Sequence, residues 1–256
     1  MTKIIALTNQ KGGVGKTTTA VNLAASLAAL ERRVLLVDLD PQGHATMGSG
    51  VDKHSLEASV LDVLLDGRQA AEVIIDCPAA GFALLPGNGD LTAAEVELLD
   101  REEGRERCLV EALDDIATEY DVVLIDCPPS LNMLTVNALT AANGVLIPLQ
   151  CEFYAMEGLS ALLDTVEQIK DSVNPDLEIY GILRTMFDSR NSLTRDISKQ
   201  LRDYFGDALL KTTIPRNIRV AEAPSHGLPV TKYARFSRGS QAHRVLAKEL
   251  IRRLSL

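Results

Sequence analysis

The sequence is poor in aromatic residues, cysteine motifs and long apolar runs. Tryptophan is absent and only 4% of the residues are aromatic, so a folded core must be built mainly from aliphatic side chains. The cysteines form no C-x-x-C pair and have no histidines at zinc spacing, which argues against a metal site. They are Cys77, Cys108, Cys127 and Cys151. No stretch approaches the roughly 18 apolar residues of a membrane span, and the N-terminus does not resemble a signal peptide. We therefore expect a cytoplasmic protein with reduced thiols.

The overall composition is that of an ordinary globular protein. Of the 256 residues, 46% are hydrophobic and 24% are charged, a balance that excludes disordered and collagen-like chains. This length suits one α/β domain, and neither a linker nor a repeat divides the sequence. We therefore expect residues 1–256 to form a single domain.

Charge is distributed unevenly along the chain. Residues 1–183 carry 11 Lys+Arg and 29 Asp+Glu, a net charge of −18, whereas residues 184–256 carry 15 Lys+Arg and 6 Asp+Glu, a net charge of +9. Such a split suggests that one surface meets a polyanion. A basic stretch of sequence need not form a basic surface, however, so both interpretations stay open at this point.

Six apolar, β-branched runs bounded by turn residues predict buried strands. They are Lys3–Thr8, Arg33–Asp38, Asp121–Asp126, Gly144–Leu149, Ile179–Met186 and Leu209–Ile214. Amphipathic helices are predicted between them, most clearly at Thr17–Leu30, Glu106–Glu119, Met156–Val173 and Ser192–Phe205. This alternation indicates an α/β fold with a doubly wound, mostly parallel sheet. We expect Gly48–Gly89 to be the least regular section.

The most specific signal follows the first predicted strand, where Asn9–Thr18 reads NQKGGVGKTT. A strand, a glycine-rich loop and a Lys-Thr pair that opens a helix form a phosphate cradle, because backbone N–H groups and the helix dipole both face the anion. In this interpretation Lys16 lies along the β- and γ-phosphates of a nucleotide and the Thr17 hydroxyl holds Mg²⁺. The other expected cradle residues are Gly12, Gly13, Val14, Gly15 and Thr18.

The loop departs from the usual pattern G-x-x-x-x-G-K-[ST] at its first position. Gln10 stands where that pattern has glycine, and the next residue is a second lysine, Lys11. Two lysines five residues apart on one loop cannot both lie along the same phosphates in the same way. From the residues alone, Lys11 is either part of the site or an exposed, solvated charge.

Carboxylates follow two of the predicted strands. Asp38 ends the second strand, Asp40 lies just beyond it and Asp126 ends a later strand. All three are therefore expected at the carboxyl edge of the sheet, where ligands of open α/β folds bind. Asp126 is the natural partner of Mg²⁺, either as a direct ligand or through a bound water, like the acid of a Walker B strand, and Asp40 could orient a water for attack on the γ-phosphate. A carboxylate at a strand end can also cap a helix or form a turn, which is the alternative for Asp38 and Asp40.

Taken together, these motifs resemble the ParA/Soj family of DNA-partition ATPases, within the wider class of P-loop NTPases of the deviant Walker A type. That wider class includes MinD, the nitrogenase iron protein and arsenite-pump ATPases. The resemblance runs in order along nearly the whole chain. Its segments are Lys11–Thr18, Asp38–Gln42 (DLDPQ), Asp126–Ser130 (DCPPS), Thr185–Arg190 (TMFDSR) and Ile214–Ser225 (IPRNIRVAEAPS).

The resemblance implies roles for individual residues. In such families the extra lysine reaches across a dimer interface to the partner's nucleotide, so Lys11 would join Lys16 and Asp40 as a catalytic residue. Asp40 matches the catalytic acid and Asp126 the Walker B acid, and the expected Mg²⁺ ligands are Thr17, Asp40 and Asp126. The loop beside the adenine matches Pro215, Arg216 and Asn217.

The resemblance also implies cofactors and partners. ATP and Mg²⁺ are the expected cofactors, an ATP-dependent homodimer is the expected active state, and a ParB-like centromere-binding protein is the expected activator of a weak ATPase. The dimer is expected to bind double-stranded DNA without sequence preference and so to associate with the nucleoid. The expected DNA-facing residues are Arg190, Arg216, Arg219, Lys232, Arg235, Arg238 and Arg244. Only ten residues precede Lys11, so we expect the short form of the family, without an N-terminal helix-turn-helix domain.

Two other functions remain open from the sequence. A MinD-like membrane-associated positioning ATPase would use a basic amphipathic helix at Ala242–Leu254, whose apolar stripe can either lie on an anionic membrane or dock on the domain. We expect no membrane association, because the stripe lacks a bulky Phe or Trp anchor. A metabolic or redox ATPase of the same fold would need a substrate pocket or a cluster held by the cysteines, which can instead be small buried hydrophobic residues.

Overall fold

A computed structural model describes residues 2–256, in which eight strands form one sheet. The strands are β1 (Lys3–Leu7), β2 (Val34–Asp38), β3 (Ile75–Cys77), β4 (Phe82–Leu85), β5 (Val122–Asp126), β6 (Gly144–Gln150), β7 (Glu178–Phe187) and β8 (Leu209–Pro215). They lie in the order β3-β4-β2-β5-β1-β6-β7-β8, and every neighbouring pair is parallel except β3 with β4. The predicted α/β fold with a mostly parallel sheet is confirmed.

Helices connect the strands on both faces of the sheet. They are α1 (Lys16–Ala28), α2 (His44–Gly48), α3 (Val60–Leu65), α4 (Ala70–Val73), α5 (Leu91–Asp100), α6 (Cys108–Asp114), α7 (Met133–Ala141), α8 (Ala155–Ser172), α9 (Ser192–Phe205), α10 (Ile218–Glu222), α11 (Val230–Tyr233) and α12 (Arg238–Leu254). Short 3₁₀ helices span Ala117–Glu119, Gly206–Ala208 and Ala223–His226.

The pleat of the strands divides the core into two layers. Along β1, Ile5 and Leu7 pack into one cluster and Ala6 into the other, because successive side chains point to opposite faces. Helices α3 to α9 cover one face, whereas α1, α2 and α12 cover the other. The thiols of all four cysteines are free and buried within these layers. A core built from Leu, Ile, Val and Ala on both faces accounts for a fold with so few aromatic residues.

The predicted helix Glu106–Glu119 is wrong in extent. Gly104 adopts a left-handed conformation with φ of 71° just before α6, and α6 begins only at Cys108. The helix ends at Asp114, where two successive acids, Asp114 and Asp115, oppose the negative end of the helix dipole. A separate 3₁₀ turn follows. Gly48–Gly89, expected to be the least regular section, holds only short elements of three to six residues, namely α3, α4, β3 and β4.

The apolar stripe of the C-terminal helix α12 faces the protein. Leu246, Ala247 and Leu250 are fully buried against α1 and the sheet, whereas Val245 is 51% exposed. Glu249 ties α12 to the edge strand β8, because its carboxylate accepts the backbone N–H groups of Lys211 and Thr212 at 2.7 and 2.9 Å. Membrane binding would require this apolar stripe to be accessible, but most of it is packed into the core. Among residues 2–256, no helix combines the length and apolarity that crossing a bilayer requires.

Acid is expected to destabilise the protein through His243 on α12. This ring is fully buried, and burial lowers the pKa of His243 to about 4. In the unfolded chain the ring takes up a proton near pH 6.5, so falling pH stabilises the unfolded state first. Between pH 7.5 and 5 the wild type should lose about 2 kcal/mol more unfolding free energy than His243→Asn in urea titrations. Equal losses of unfolding free energy in the two proteins would mean that the His243 ring binds a proton as readily in the folded state as in the unfolded chain.

Candidate functional site

The phosphate loop joins the end of β1 to the start of α1. Gly13 and Gly15 have left-handed backbone angles, with φ of 75° and 89°, which side chains with a Cβ rarely adopt. A Cβ atom on Gly12 or Gly13 would meet no heavy atom within 4 Å, so open space surrounds this part of the loop. Gly15 is the N-cap of α1 and supplies no side-chain cap, which leaves first-turn N–H groups available to an anion. The loop therefore has the form of the expected cradle.

Lys16 is held inside this loop. Its side chain is buried and its ammonium group donates a hydrogen bond to the carbonyl oxygen of Asn9 at 3.0 Å. Burial lowers the pKa of Lys16, and the nearby carboxylate of Asp126 opposes that change. A buried cation at the start of a helix that also offers free N–H groups is suited to bind the charged end of a polyphosphate.

Asp126, at the end of β5, presents a buried carboxylate without a protein partner. Its register neighbours are Leu7 on β1 and Asp38 on β2, and it is fully buried. Neither of its oxygens accepts a hydrogen bond within residues 2–256. Burial raises the pKa of Asp126 well above its ordinary value and Asp38 raises it further, while Thr17 and Lys16 oppose the rise.

This arrangement fits a magnesium ion. A buried carboxylate that lacks a partner is costly unless something binds it, and Mg²⁺ prefers oxygen ligands. The Thr17 hydroxyl lies next to Asp126, and the charge of Asp40 acts on both Asp126 and Lys16. The sequence-predicted metal ligands Thr17, Asp40 and Asp126 are thus brought to one place.

Asp38 and Asp40 have different surroundings although they are two residues apart. Asp38 is fully buried and accepts hydrogen bonds from the backbone N–H and the hydroxyl of Thr46, both at 2.7 Å. Burial raises the pKa of Asp38 to about 7. Asp40 accepts the N–H of Gln42 at 2.9 Å and keeps its second oxygen free of protein partners in the described hydrogen bonds. Asp38 thus forms the turn into α2, whereas Asp40 is available to a ligand.

Lys11 lies on the outside of the loop. Its side chain is 48% exposed, and its ammonium group pairs with the Glu152 carboxylate at 2.5 Å. Glu152 belongs to the turn between β6 and α8. Lys11 is therefore neither a freely solvated charge nor a second copy of Lys16, which is buried on the inner side.

Polar residues that the sequence analysis missed fix the loop to neighbouring strands. Asn9 donates from Nδ2 to the carbonyl of Pro148 at 2.8 Å, and Gln150 donates from Nε2 to the carbonyl of Gly13 at 3.2 Å. The Thr185 hydroxyl, at the end of β7, donates to the carbonyl of Val14 at 2.7 Å. The available signal was position, because each of these polar residues follows or ends an apolar strand.

The residues matched to the adenine loop lie on the same edge of the sheet, three strands from β1. Pro215 ends β8 and is in register with Phe187 at the end of β7. Asn217 caps α10 by accepting the N–H of Val220 at 3.3 Å, and Arg216 between them is exposed.

All seven residues expected to face DNA are exposed: Arg190, Arg216, Arg219, Lys232, Arg235, Arg238 and Arg244. Most of them belong to residues 215–244, around the small cluster that packs α10 against α11. Arg190 and Arg216 follow the ends of β7 and β8, and both cations lower the pKa of Asp188, Arg190 more strongly through its hydrogen bonds.

Some of these cations already have partners. Arg190 pairs with Asp188 and Arg219 with Glu222, both at 2.8 Å, and the Arg235 guanidinium lies over the Phe236 ring. Lys232 stands apart from the rest, because its ammonium group points toward Gly81 in the β3–β4 turn. Two of the expected residues, Arg190 and Arg216, thus lie near the same carboxylate, whereas the ammonium group of Lys232 is directed toward the β3–β4 turn.

The chain is similar to known proteins over nearly its whole length. A family model described as "AAA domain" matches residues 2–179. The chromosome partitioning protein ParA of Myxococcus xanthus is 48% identical over 98% of this chain and 88% of its own length. The sporulation initiation inhibitor protein Soj of Bacillus subtilis is 49% identical over 98% of both chains.

A solved structure of similar shape contains a nucleotide and magnesium. Cobyrinic acid a,c-diamide synthase from Mycobacterium smegmatis, with bound ADP and magnesium, superposes with a TM-score of 0.87. It is 41% identical, and the match covers 100% of this chain and 96% of that one. The expected cofactors, a nucleotide with Mg²⁺, agree with the ligands of this neighbour.

Proposed function

Because the chain belongs to the ParA/Soj family of chromosome partitioning ATPases, we propose that it is an Mg²⁺-dependent ATPase that partitions DNA. Residues 1–256 act as a single ATPase domain of the deviant Walker A type. ATP binding brings two copies together as a sandwich dimer, and the dimer binds double-stranded DNA without sequence preference. Hydrolysis, stimulated by a ParB-like partner, returns the protein to monomers.

The observation that carries this proposal is the separation of the two lysines of the phosphate loop. Lys16 is buried within its own site, whereas Lys11 is half exposed on the outer side, where a second copy could approach. Beside it the aromatic rings of Phe153 and Tyr154 are 70% and 69% exposed. Exposed aromatic side chains next to a charged loop are typical of a surface that a protein partner covers.

Each group in the site has a chemical task. Lys16 and the first-turn N–H groups of α1 bind the phosphates, and Thr17 and Asp126 would hold Mg²⁺. When bound, Mg²⁺ neutralises charge that develops on the phosphate oxygens. Asp40, with one oxygen free, orients the attacking water and accepts its proton.

Slow turnover is expected from the isolated chain. The loop Asn9–Thr18 contains no arginine to stabilise transition-state charge, and a missing element of this type lowers the rate by a factor of about 10³ to 10⁵. A ParB-like protein with a basic segment would supply it.

Arg219→Glu is expected to weaken DNA binding without loss of ATP binding. Phosphate contacts release counterions, so affinity depends on salt, and a dimer presents every contact twice. For the ATP-loaded dimer, a plot of the logarithm of the DNA association constant against the logarithm of salt concentration has a negative slope. Removing Arg219 should reduce the magnitude of this slope by about 2. Fluorescence anisotropy with two unrelated duplexes of equal length measures both the slope and the lack of sequence preference.

The matched control for this variant is Arg68→Glu. Arg68 pairs with Glu72 on α4 much as Arg219 pairs with Glu222 on α10, but it belongs to the acidic part of the chain. Arg68→Glu should bind DNA like the wild type. Equal DNA binding by ADP- and ATP-loaded protein, or strong preference for one duplex, would refute the mechanism.

Gel filtration separates this function from the alternatives. A partition ATPase should elute as a dimer with ATP, and as a monomer with ADP or without nucleotide. The M. smegmatis neighbour is named a synthase. A metabolic ATPase of the same fold would bind nucleotide without binding DNA. A MinD-like protein would instead sediment with anionic liposomes when loaded with ATP, for which the buried stripe of α12 leaves little apolar surface.

A further inference from the structure

Lys11 and Glu152 form an ion pair at the nucleotide edge of the sheet. The two side chains are 48% and 51% exposed, so neither is trapped by packing. The pair connects the phosphate loop with the turn between β6 and α8. Both residues belong to the same protein chain, so Lys11 is occupied within its own subunit before a second copy arrives.

The backbone on both sides of this pair is fixed. The N–H of Lys11 donates to Asn9 Oδ1 at 2.9 Å, Asn9 donates to the carbonyl of Pro148, and Gln150 donates to the carbonyl of Gly13. The phosphate loop and the β6 end are thus tied together next to the ion pair. Lys11 can change its partner only by rotating its side chain, not by moving the loop.

We propose that Glu152 is a positioning residue that holds Lys11 within its own subunit and thereby weakens the association of two ATP-loaded copies. This inference rests on the proposed function, since it takes Lys11 to reach the partner's nucleotide. In the dimer Lys11 must leave Glu152 to approach phosphate oxygens. The vacated carboxylate then stays as a negative charge near the same phosphates. Both effects oppose dimerisation, so that the dimer forms only when ATP supplies enough attraction.

The size of the effect follows from the exposure of the pair. An exposed ion pair favours its paired state by up to about fivefold. A symmetric dimer breaks two such pairs, so the dissociation constant is raised by up to about 25-fold. This is enough to shift the protein between monomer and dimer without changing nucleotide binding.

Sedimentation velocity with a non-hydrolysable ATP analogue and Mg²⁺ tests this role. Glu152→Gln should lower the dimer dissociation constant about 2- to 25-fold relative to the control Glu157→Gln. Glu157 is an exposed acid in the first turn of α8, so its replacement changes the net charge equally. Glu152→Asp keeps the charge but shortens its reach, and should fall between Glu152→Gln and the wild type. ADP affinity should be the same in all four proteins, and their thermal stabilities should differ only by the small contribution of one exposed ion pair.

The outcomes separate this inference from the proposed function. If the wild type dimerises and Glu152→Gln dimerises no more tightly than Glu157→Gln, the role of Glu152 is refuted and the proposed function stands. If no protein dimerises with the analogue, the proposed function fails and this inference fails with it. Should Glu152→Gln not fold, a Glu152→Asp constant below that of the wild type supports the role, and an equal or higher one refutes it.

Discussion

Lys11→Ala is expected to bind ATP as a monomer and to form no ATP-dependent dimer. Its side chain lies outside the buried site, so the variant keeps Lys16, Thr17 and Asp126 in place. In the sandwich, each copy would lose one charge-assisted contact with the partner's phosphates. Truncating one member of such a pair costs about 2 kcal/mol or more, and two losses weaken the dimer by about 10³-fold or more. Calorimetric titration with nucleotide and sedimentation with the ATP analogue measure the two properties separately.

Two further variants control this experiment. Lys199→Ala removes an exposed lysine of α9 and should dimerise normally. Lys16→Ala removes the buried lysine and should instead weaken nucleotide binding itself by about 10²-fold, since a charge-assisted contact contributes up to about 3 kcal/mol. A normal dimer of Lys11→Ala would show that the sandwich arrangement is wrong and that Lys11 serves only its pair with Glu152.

The parts of the fold that could be predicted are those with a regular hydrophobic pattern. The six predicted strands are all present, because buried parallel strands are continuous apolar runs. Strands β3 and β4 were not predicted, since they have only three and four residues and lie within the section expected to be irregular. Helix α7 was not predicted because seven of its nine residues are buried. It therefore has no polar face and no amphipathic period.

The site residues that could be predicted are those whose positions follow from a local sequence motif. The order strand, loop and helix predicts that Lys16, Thr17 and Asp126 lie close together, and in the structure Thr17 and Lys16 both act on the Asp126 carboxylate. The contacts of Asn9, Gln150 and Thr185 depend on which strands are neighbours in the sheet, and no local pattern carries that information. The pair of Lys11 with Glu152 spans 141 positions for the same reason.

The two acids after β2 show why tertiary contacts are needed to assign roles. From the sequence, either Asp38 or Asp40 could have been a turn former. The Asp38 carboxylate accepts hydrogen bonds from the backbone N–H and the hydroxyl of Thr46. The Thr46 hydroxyl in turn accepts the N–H of Gly87 at 2.9 Å. A Cβ at Gly87 would come within 2.3 Å of the Asp38 carbonyl oxygen, so this corner is tightly built. Asp38 thus shapes the loop that presents Asp40.

Asp40→Ala is therefore expected to bind ATP, to dimerise and to remain dimeric. Loss of a positioned general base slows a reaction by about 10²- to 10⁴-fold, so single-turnover hydrolysis should fall by that factor. Since Thr17 and Asp126 would still hold Mg²⁺ and Lys11 would still reach the partner, assembly should be unaffected. The lifetime of the dimer should then increase by about the same factor by which hydrolysis is slowed. Dilution into excess ADP followed by gel filtration measures this lifetime.

The control for this variant is Asp66→Ala, which removes an exposed acid at the end of α3 and should hydrolyse ATP at the wild-type rate. The contrast with Lys11→Ala is diagnostic, because Lys11→Ala should weaken the assembly of the dimer, whereas Asp40→Ala should slow its dissociation. If Asp40→Ala instead loses Mg²⁺-dependent ATP binding, Asp40 acts as a metal ligand and not as the group that orients water. If it turns over normally, the water is positioned by another residue and the assignment of the catalytic acid is wrong.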